Sequence, residues 1–150
     1  MTNALIFSGP PLDWTDALLL GYAPIDNEHR EFVEVVKELL GCPDERMLEC
    51  IDRLCAHAES HFGNEDRWMT ETGFPARECH MAEHAAVLAS AREVRALVAA
   101  GNQEVGRSLA QELARWFPGH ADYLDSALAH WMVKRSHGGK PVVLRRHGAA

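Results

Sequence analysis

Four short stretches put ionisable side chains where amphipathic helices carry their apolar stripe. They are Asp26-Asn27-Glu28-His29, His61-Phe62-Gly63-Asn64-Glu65, His80-Met81-Ala82-Glu83-His84 and His120-Ala121-Asp122-Tyr123-Leu124-Asp125. His61 to Glu65 and His80 to His84 are steps of four, which place both side chains on one side of a helix. With His29 and His120 the set holds five imidazoles and two carboxylates, the second carboxylate being Asp122 or Asp125. Facing one core as bare polar groups, they would be prohibitively costly. As ligands of buried metal they make sense.

The surrounding pattern is helical throughout. Ile25, His29, Phe32, Val36 and Leu39 recur in steps of three and four and predict a first helix over about Pro24–Leu40. Pro24 suits its first turn, Asp26 and Glu28 suit the positive end of its dipole, and Gly41 and Pro43 suit its stop. Met47, Ile51, Leu54, Ala58, His61, Glu65 and Trp68 mark a second helix over about Asp44–Thr70, with Asp44 as its expected N-cap. A third is expected from about Pro75 to Ala100, on Arg77, His80, His84, Leu88, Ala91, Val94 and Val98. A fourth is expected over about Gln103–Trp131, on Val105, Leu109, Leu113, Trp116, His120, Leu124, Leu128 and Trp131. Pro118 lies inside it and removes one backbone hydrogen bond, so a kink is expected beside His120.

Short loops between four such helices predict an all-α, up-down-up-down antiparallel bundle. The ionisable residues fall in the first half of helices one and three and in the second half of helices two and four. In an alternating bundle those positions form one layer. Before the bundle, Gly9-Pro10-Pro11 excludes regular helix, while Trp14, Leu18, Leu19, Leu20 and Tyr22 predict an arm that straps onto it. Residues 1–133 are expected to form the bundle with this arm, and 134–150 a short basic tail.

Charge follows the same division. From Lys134 onward there are five basic residues and no acid, so the first 133 residues hold ten bases against 22 acids, a net charge of −12. An acidic body argues against nucleic-acid or anionic-membrane partners; the basic tail is the place for any protein partner. No apolar run is long enough to span a bilayer. Cys42, Cys50, Cys55 and Cys79 form no C-x-x-C pair, and no secretory signal opens the chain, so free thiols in a reducing cytoplasm are expected. Cys79 points about 100° from its neighbour His80 on a helical wheel and reads as a packing thiol, with a redox-sensing thiol as the alternative.

The donor set is nitrogen and oxygen without thiolate, which favours iron, manganese or zinc. Seven ligands are too many for one ion. Shared between two, each carboxylate can bridge and five imidazoles split as three and two, which leaves one ion a position for a small diatomic ligand. Two assignments stay open on geometry. A step of five from His120 to Asp125 turns an ideal helix about 140°, and Asp122 is no better placed. His57, four residues before His61, is only about 40° away on the wheel and is an alternative ligand.

The pattern resembles the hemerythrin family, in particular its single-domain bacterial members. The resemblance is carried by Trp14 ahead of Ile25-Asp26-Asn27-Glu28-His29, His61-Phe62-x-x-Glu65 with Met69 following, His80-x-x-x-His84 after Phe74-Pro75, and Trp116 ahead of His120-x4-Asp125. It covers about residues 12–131. It implies reversible O2 binding at a non-haem di-iron centre, for storage, delivery or sensing. It further implies that His80, His84 and His120 hold one iron, that His29 and His61 hold the other, and that Glu65 and Asp125 bridge them. His57 then stands beside the site. A dry pocket around bound O2 is also implied, and Phe32, Phe62, Leu88 and Trp116 are the candidates to line it. Pro118-Gly119, and Ala121 where a bulkier aliphatic residue is expected, depart from the pattern in ways that could shift His120 or loosen the pocket. The competing functions are a di-iron redox enzyme acting on peroxide or nitric oxide, and an iron-binding or repair protein. A ferritin-like centre is disfavoured because no histidine has Glu three residues before it.

Overall fold

The computed structural model describes residues 12–136. Gly9-Pro10-Pro11 and the tail from 137 lie outside the described residues. The elements are α1 (Ala23–Gly41), α2 (Met47–Thr72), α3 (Arg77–Ala99), α4 (Glu104–His120), a π-helical turn (Ala121–Asp125) and α5 (Ser126–Ser136). α4, the π turn and α5 run on as one rod, so the architecture is the expected four-helix bundle. α1 packs on α2 and α4, and α3 on α2 and α4. Among the described residues, no helix is long and apolar enough to cross a membrane.

The helix ends depart from the sequence reading in instructive ways. Asp44 does not cap α2: a 3-10 turn over Asp44–Arg46 precedes that helix, and the Asp44 carboxylate pairs with Arg107 instead. Gly41 is the last residue of α1 and needs no left-handed backbone, whereas Gly73 and Gly101 take φ of 66° and 105° just after α2 and α3. There an L side chain would be strained. Pro118 does not interrupt α4, which continues to His120; the irregularity appears in the next turn.

Residues 12–22 form the strap predicted for the arm. Leu12 and Leu20 are buried, Trp14 and Leu18 pack on the main core, and the Arg30 guanidinium lies 5.0 Å from the centre of the Trp14 ring. The strap is fastened by Asp26, whose carboxylate accepts the backbone N–H groups of Leu20 at 2.8 Å and Gly21 at 3.1 Å. The sequence had offered Asp26 only as a complement to the helix dipole.

The apolar core is in two parts. The larger includes Phe32, Val36, Leu39, Met47, Ile51, Leu54, Ala91, Val98, Leu113 and Phe117. The smaller, toward the other end, is Leu20, Ile25, Met69, Phe74, Leu128 and Ala129. The ionisable layer lies between them. Packing in the larger part is close at Gly106, where a Cβ would come within 2.6 Å of Met47 Sδ.

Candidate metal centre

All seven side chains meet in that layer. His29, Glu65, His80, His84 and Asp125 are fully enclosed, and His61 and His120 nearly so. The surprise of the sequence, a step of five to Asp125, is resolved by the backbone. Ser126 N–H bonds to the carbonyl of Ala121, an i to i+5 bond. Such a turn is wider than an α turn and brings residues five apart onto one side of the helix. Asp125 therefore faces inward beside His120, and Asp122 is exposed.

Each carboxylate spreads its two oxygens over two groups of histidines. Asp125 Oδ1 lies 2.9 Å from His80 Nε2 and 3.2 Å from His120 Nε2, while Oδ2 lies 2.9 Å from His29 Nε2. Glu65 Oε1 lies 3.3 Å from His84 Nε2 and 3.5 Å from His80 Nε2, while Oε2 lies 2.5 Å from His61 Nε2. All five histidines turn Nε2 to the layer.

Several of these atoms are close without being hydrogen-bonded. Nε2 of His29 and His80, Oε1 of Glu65 and both oxygens of Asp125 are buried with no hydrogen-bond partner. Buried polar atoms in native proteins are ordinarily satisfied. Atoms that crowd together yet do not aim at one another are aimed at a shared centre. Neighbouring ligands of one ion, with bonds of about 2.1 Å, stand about 3 Å apart in octahedral geometry, which is the spacing found. The residues therefore fit a metal. Ligand atoms of Glu65, His80, His84, His120 and Asp125 lie within 4.8 Å of one another, and so do those of His29, His61 and Glu65.

The outward nitrogens fix three of the five rings, while Nδ1 of His29 and of His80 is buried without a hydrogen-bond partner. His84 Nδ1 meets Asp66 Oδ1 at 2.7 Å, and His120 Nδ1 meets Glu83 Oε1 at 2.9 Å. Glu83 Oε1 also accepts the Trp116 indole N–H at 2.8 Å. His61 Nδ1 meets His57 Nε2 at 3.2 Å, so His57 stands beside the layer. Such outer partners orient ligating imidazoles and raise their basicity. Glu83→Gln is expected to weaken metal binding about 10–100-fold, as measured by competition with a chelator.

Electrostatics follow from enclosure. Burial opposes ionisation of Glu65 and Asp125, but the surrounding imidazoles outweigh it. His61 and His80 hold the Glu65 carboxyl far below the usual range, and His120, His29 and His80 do the same for Asp125. Burial likewise opposes protonation of His80, yet Asp125 and Glu65 push it up to about 9, and Glu65 raises His61 in the same way. A cation bound at these nitrogens takes the place of that proton. His57 is driven down to about 4 by burial and by the His61 and His29 rings.

Aromatic rings wall the layer. Phe62 stacks on His84 at 4.2 Å, and Trp116 stacks on His120 at 4.3 Å. Phe32 faces His61 at 6.1 Å. Phe117, absent from the sequence reading, packs edge-on to His29 at 5.1 Å and lies 4.8 Å from Phe32. Its spacing from Ala110, Leu113 and Ala121 (steps of three and four) was the signal for it. Leu88 is half-buried, and Val87, three residues after His84, packs against the core on that helix. Cys79 is exposed, so it is not a packing thiol; Cys50 is buried and its thiol is pushed up to about 12, chiefly by burial.

Comparison with known proteins agrees with the geometry. The family model for the hemerythrin HHE cation binding domain matches residues 20–131. A bacteriohemerythrin of Ralstonia nicotianae is 36% identical over 126 residues, spanning 84% of this chain and 92% of that protein. Bacteriohemerythrins of Pseudomonas aeruginosa (strain PAO1) and Stenotrophomonas maltophilia are 29% and 30% identical, covering 85% and 79% of this chain and 91% and 79% of theirs. On this span of matching sequence, and with a cation-binding constellation of buried histidines and carboxylates at its centre, the chain belongs to the hemerythrin family.

Proposed function

We propose that the protein binds O2 reversibly at a non-haem di-iron centre. His80, His84 and His120 hold one ion, His29 and His61 the other, and Glu65 and Asp125 bridge. The observation that carries this reading is the division of oxygens: Oδ1 and Oε1 face the group of three histidines, and Oδ2 and Oε2 face the group of two. When bound, a pair of ferrous ions supplies the two electrons that reduce O2 and recovers them on its release.

The chain's own residues suit binding better than turnover. The imidazole-rich set brings only two carboxylates, so little negative charge is present to stabilise the high-valent iron that oxygenation needs. The pair of histidines with fewer ligands is the pair enclosed by Phe32 and Phe117. Apolar walls there exclude water and make departure of a charged oxygen species costly. Glu83 and Asp66 hold the three-histidine side in place, so exchange at the other side need not disturb it.

The test is optical. Iron-loaded protein is reduced without air, oxygen is admitted, and the visible spectrum is followed through deoxygenation. A band that appears with oxygen and disappears on its removal is the expected result. Direct passage to a stable di-ferric spectrum would overturn oxygen carriage and favour redox turnover.

A further inference from the structure

We propose that Glu28, His57 and the outward nitrogen of His61 form an outer cation site, through which divalent metal is handed to the buried layer. The inference rests on the reading of that layer as a metal centre. Ligand atoms of these three residues lie within 4.8 Å of one another, on the α1–α2 side of the bundle. Glu28 is held in position by the Asn64 side-chain N–H, which donates to it at 2.6 Å. Glu28 and His57 are half-buried and His61 is enclosed, so the three make a step between surface and interior.

An opening of about 330 Å³ reaches His57 from solvent, lined by Arg30, Glu31, Glu34 and Val35. Glu31 is 73% exposed at its rim, with Oε2 3.7 Å from His57 Nδ1. Two carboxylates against one guanidinium give the mouth a cation-attracting charge, on a body whose net charge is already negative. By contrast, the larger cleft between α3 and α4, about 580 Å³, is lined mainly by apolar side chains such as Val87, Val94, Leu109 and Leu113. That lining offers an ion few ligands.

His61 is the shared member. A neutral imidazole has one ring nitrogen with hydrogen and one with a lone pair. With the hydrogen on Nε2, that nitrogen donates to Glu65 Oε2 at 2.5 Å, and the Nδ1 lone pair serves the outer site. With the hydrogen on Nδ1, that nitrogen donates to His57 Nε2 at 3.2 Å, and the Nε2 lone pair serves the inner layer. Arrival of the cation at the outer nitrogen displaces the extra proton that Glu65 favours on the ring; in the handover that follows, the remaining hydrogen moves to the nitrogen the cation leaves, and that step gains or loses no net proton. The outer site fills during loading and empties when loading is complete.

The experiment is stopped-flow uptake of Co2+ by metal-free full-length protein, with final stoichiometry measured on the same samples. Glu28→Gln and His57→Gln are each expected to slow uptake about tenfold or more, within the range that steering and local ligands give, with wild-type stoichiometry at the end. Glu104→Gln, the same charge change at the far end of the bundle, keeps the wild-type rate. Uptake at the wild-type rate in both Glu28→Gln and His57→Gln would overturn the handover alone. A loss of final stoichiometry in Glu28→Gln would instead assign the group to support of His61, and would also overturn it. Wild-type protein that takes up no Co2+ would sink the metal-centre reading and the handover together. If His57→Gln does not fold, the half-buried Glu28 position decides.

Discussion

Asp125→Ala is expected to cost metal affinity by more than the about 10–100-fold that loss of an outer partner costs, and, in the proposed two-ion centre, to lower the number of ions bound. Its two oxygens face both histidine groups, so the substitution takes a carboxylate oxygen from each side at once. Asp125→Asn is expected to lose nearly as much, because the shape survives but the negative charge between three imidazoles does not. Asp122→Ala changes an exposed residue outside the layer and is expected to leave metal content unchanged. Metal analysis after chelator challenge separates the two positions. Damage from Asp122→Ala with a tolerant Asp125→Ala would mean that the turn over Ala121–Asp125 is not wide, and that the carboxylate ligand comes from the other face.

Phe117→Ala has the second largest expected effect, and on two properties. The ring is almost fully enclosed and packs on His29 and Phe32. Removing it deletes a large apolar surface and leaves a cavity, at a cost of about 3–5 kcal/mol. For a chain of this size that lowers the melting temperature by about 6–20 °C, measurable by thermal denaturation of the metal-free protein. The cavity also lies against the histidine pair proposed to face O2. Water admitted there is expected to shorten the lifetime of the oxygenated form and hasten passage to the di-ferric state. Phe117→Leu retains apolar bulk and is expected to show a smaller loss of both. A stable protein with an undiminished oxygenated lifetime would show that Phe117 neither fills the core nor keeps the site dry.

These two residues also mark the limits of the sequence. Periodicity in steps of three and four was enough for the four helices and their faces, because each of those features is local to one helix, and the alternating direction that short loops impose then set the common depth of His29, His61, Glu65, His80, His84 and His120. It had no means of placing Asp125, since an ideal α-helix carries a residue five positions on to the wrong side. Only resemblance in spacing favoured it. The extra residue taken up by the π turn, and the Ser126 to Ala121 bond that closes it, exist in the folded backbone alone. The inward place of Phe117 is hidden from the sequence for a related reason. Trp116 and Phe117 are adjacent aromatic residues about 100° apart on the wheel, and the neighbours of α4 decide which of them goes inside. α1 receives Phe117 against Phe32 and His29, while Trp116 stays half-buried and is tied to Glu83. Asp44 shows the same dependence, drawn from an expected cap to Arg107 across the bundle.

The sequence by itself determined that a layer of imidazoles and carboxylates would cross an all-helical core. The tertiary structure decided which carboxylate completes that layer and how each divides its oxygens, because the first depends on the wide turn closed at Ser126 and the second on how the packed helices gather histidines around each carboxylate.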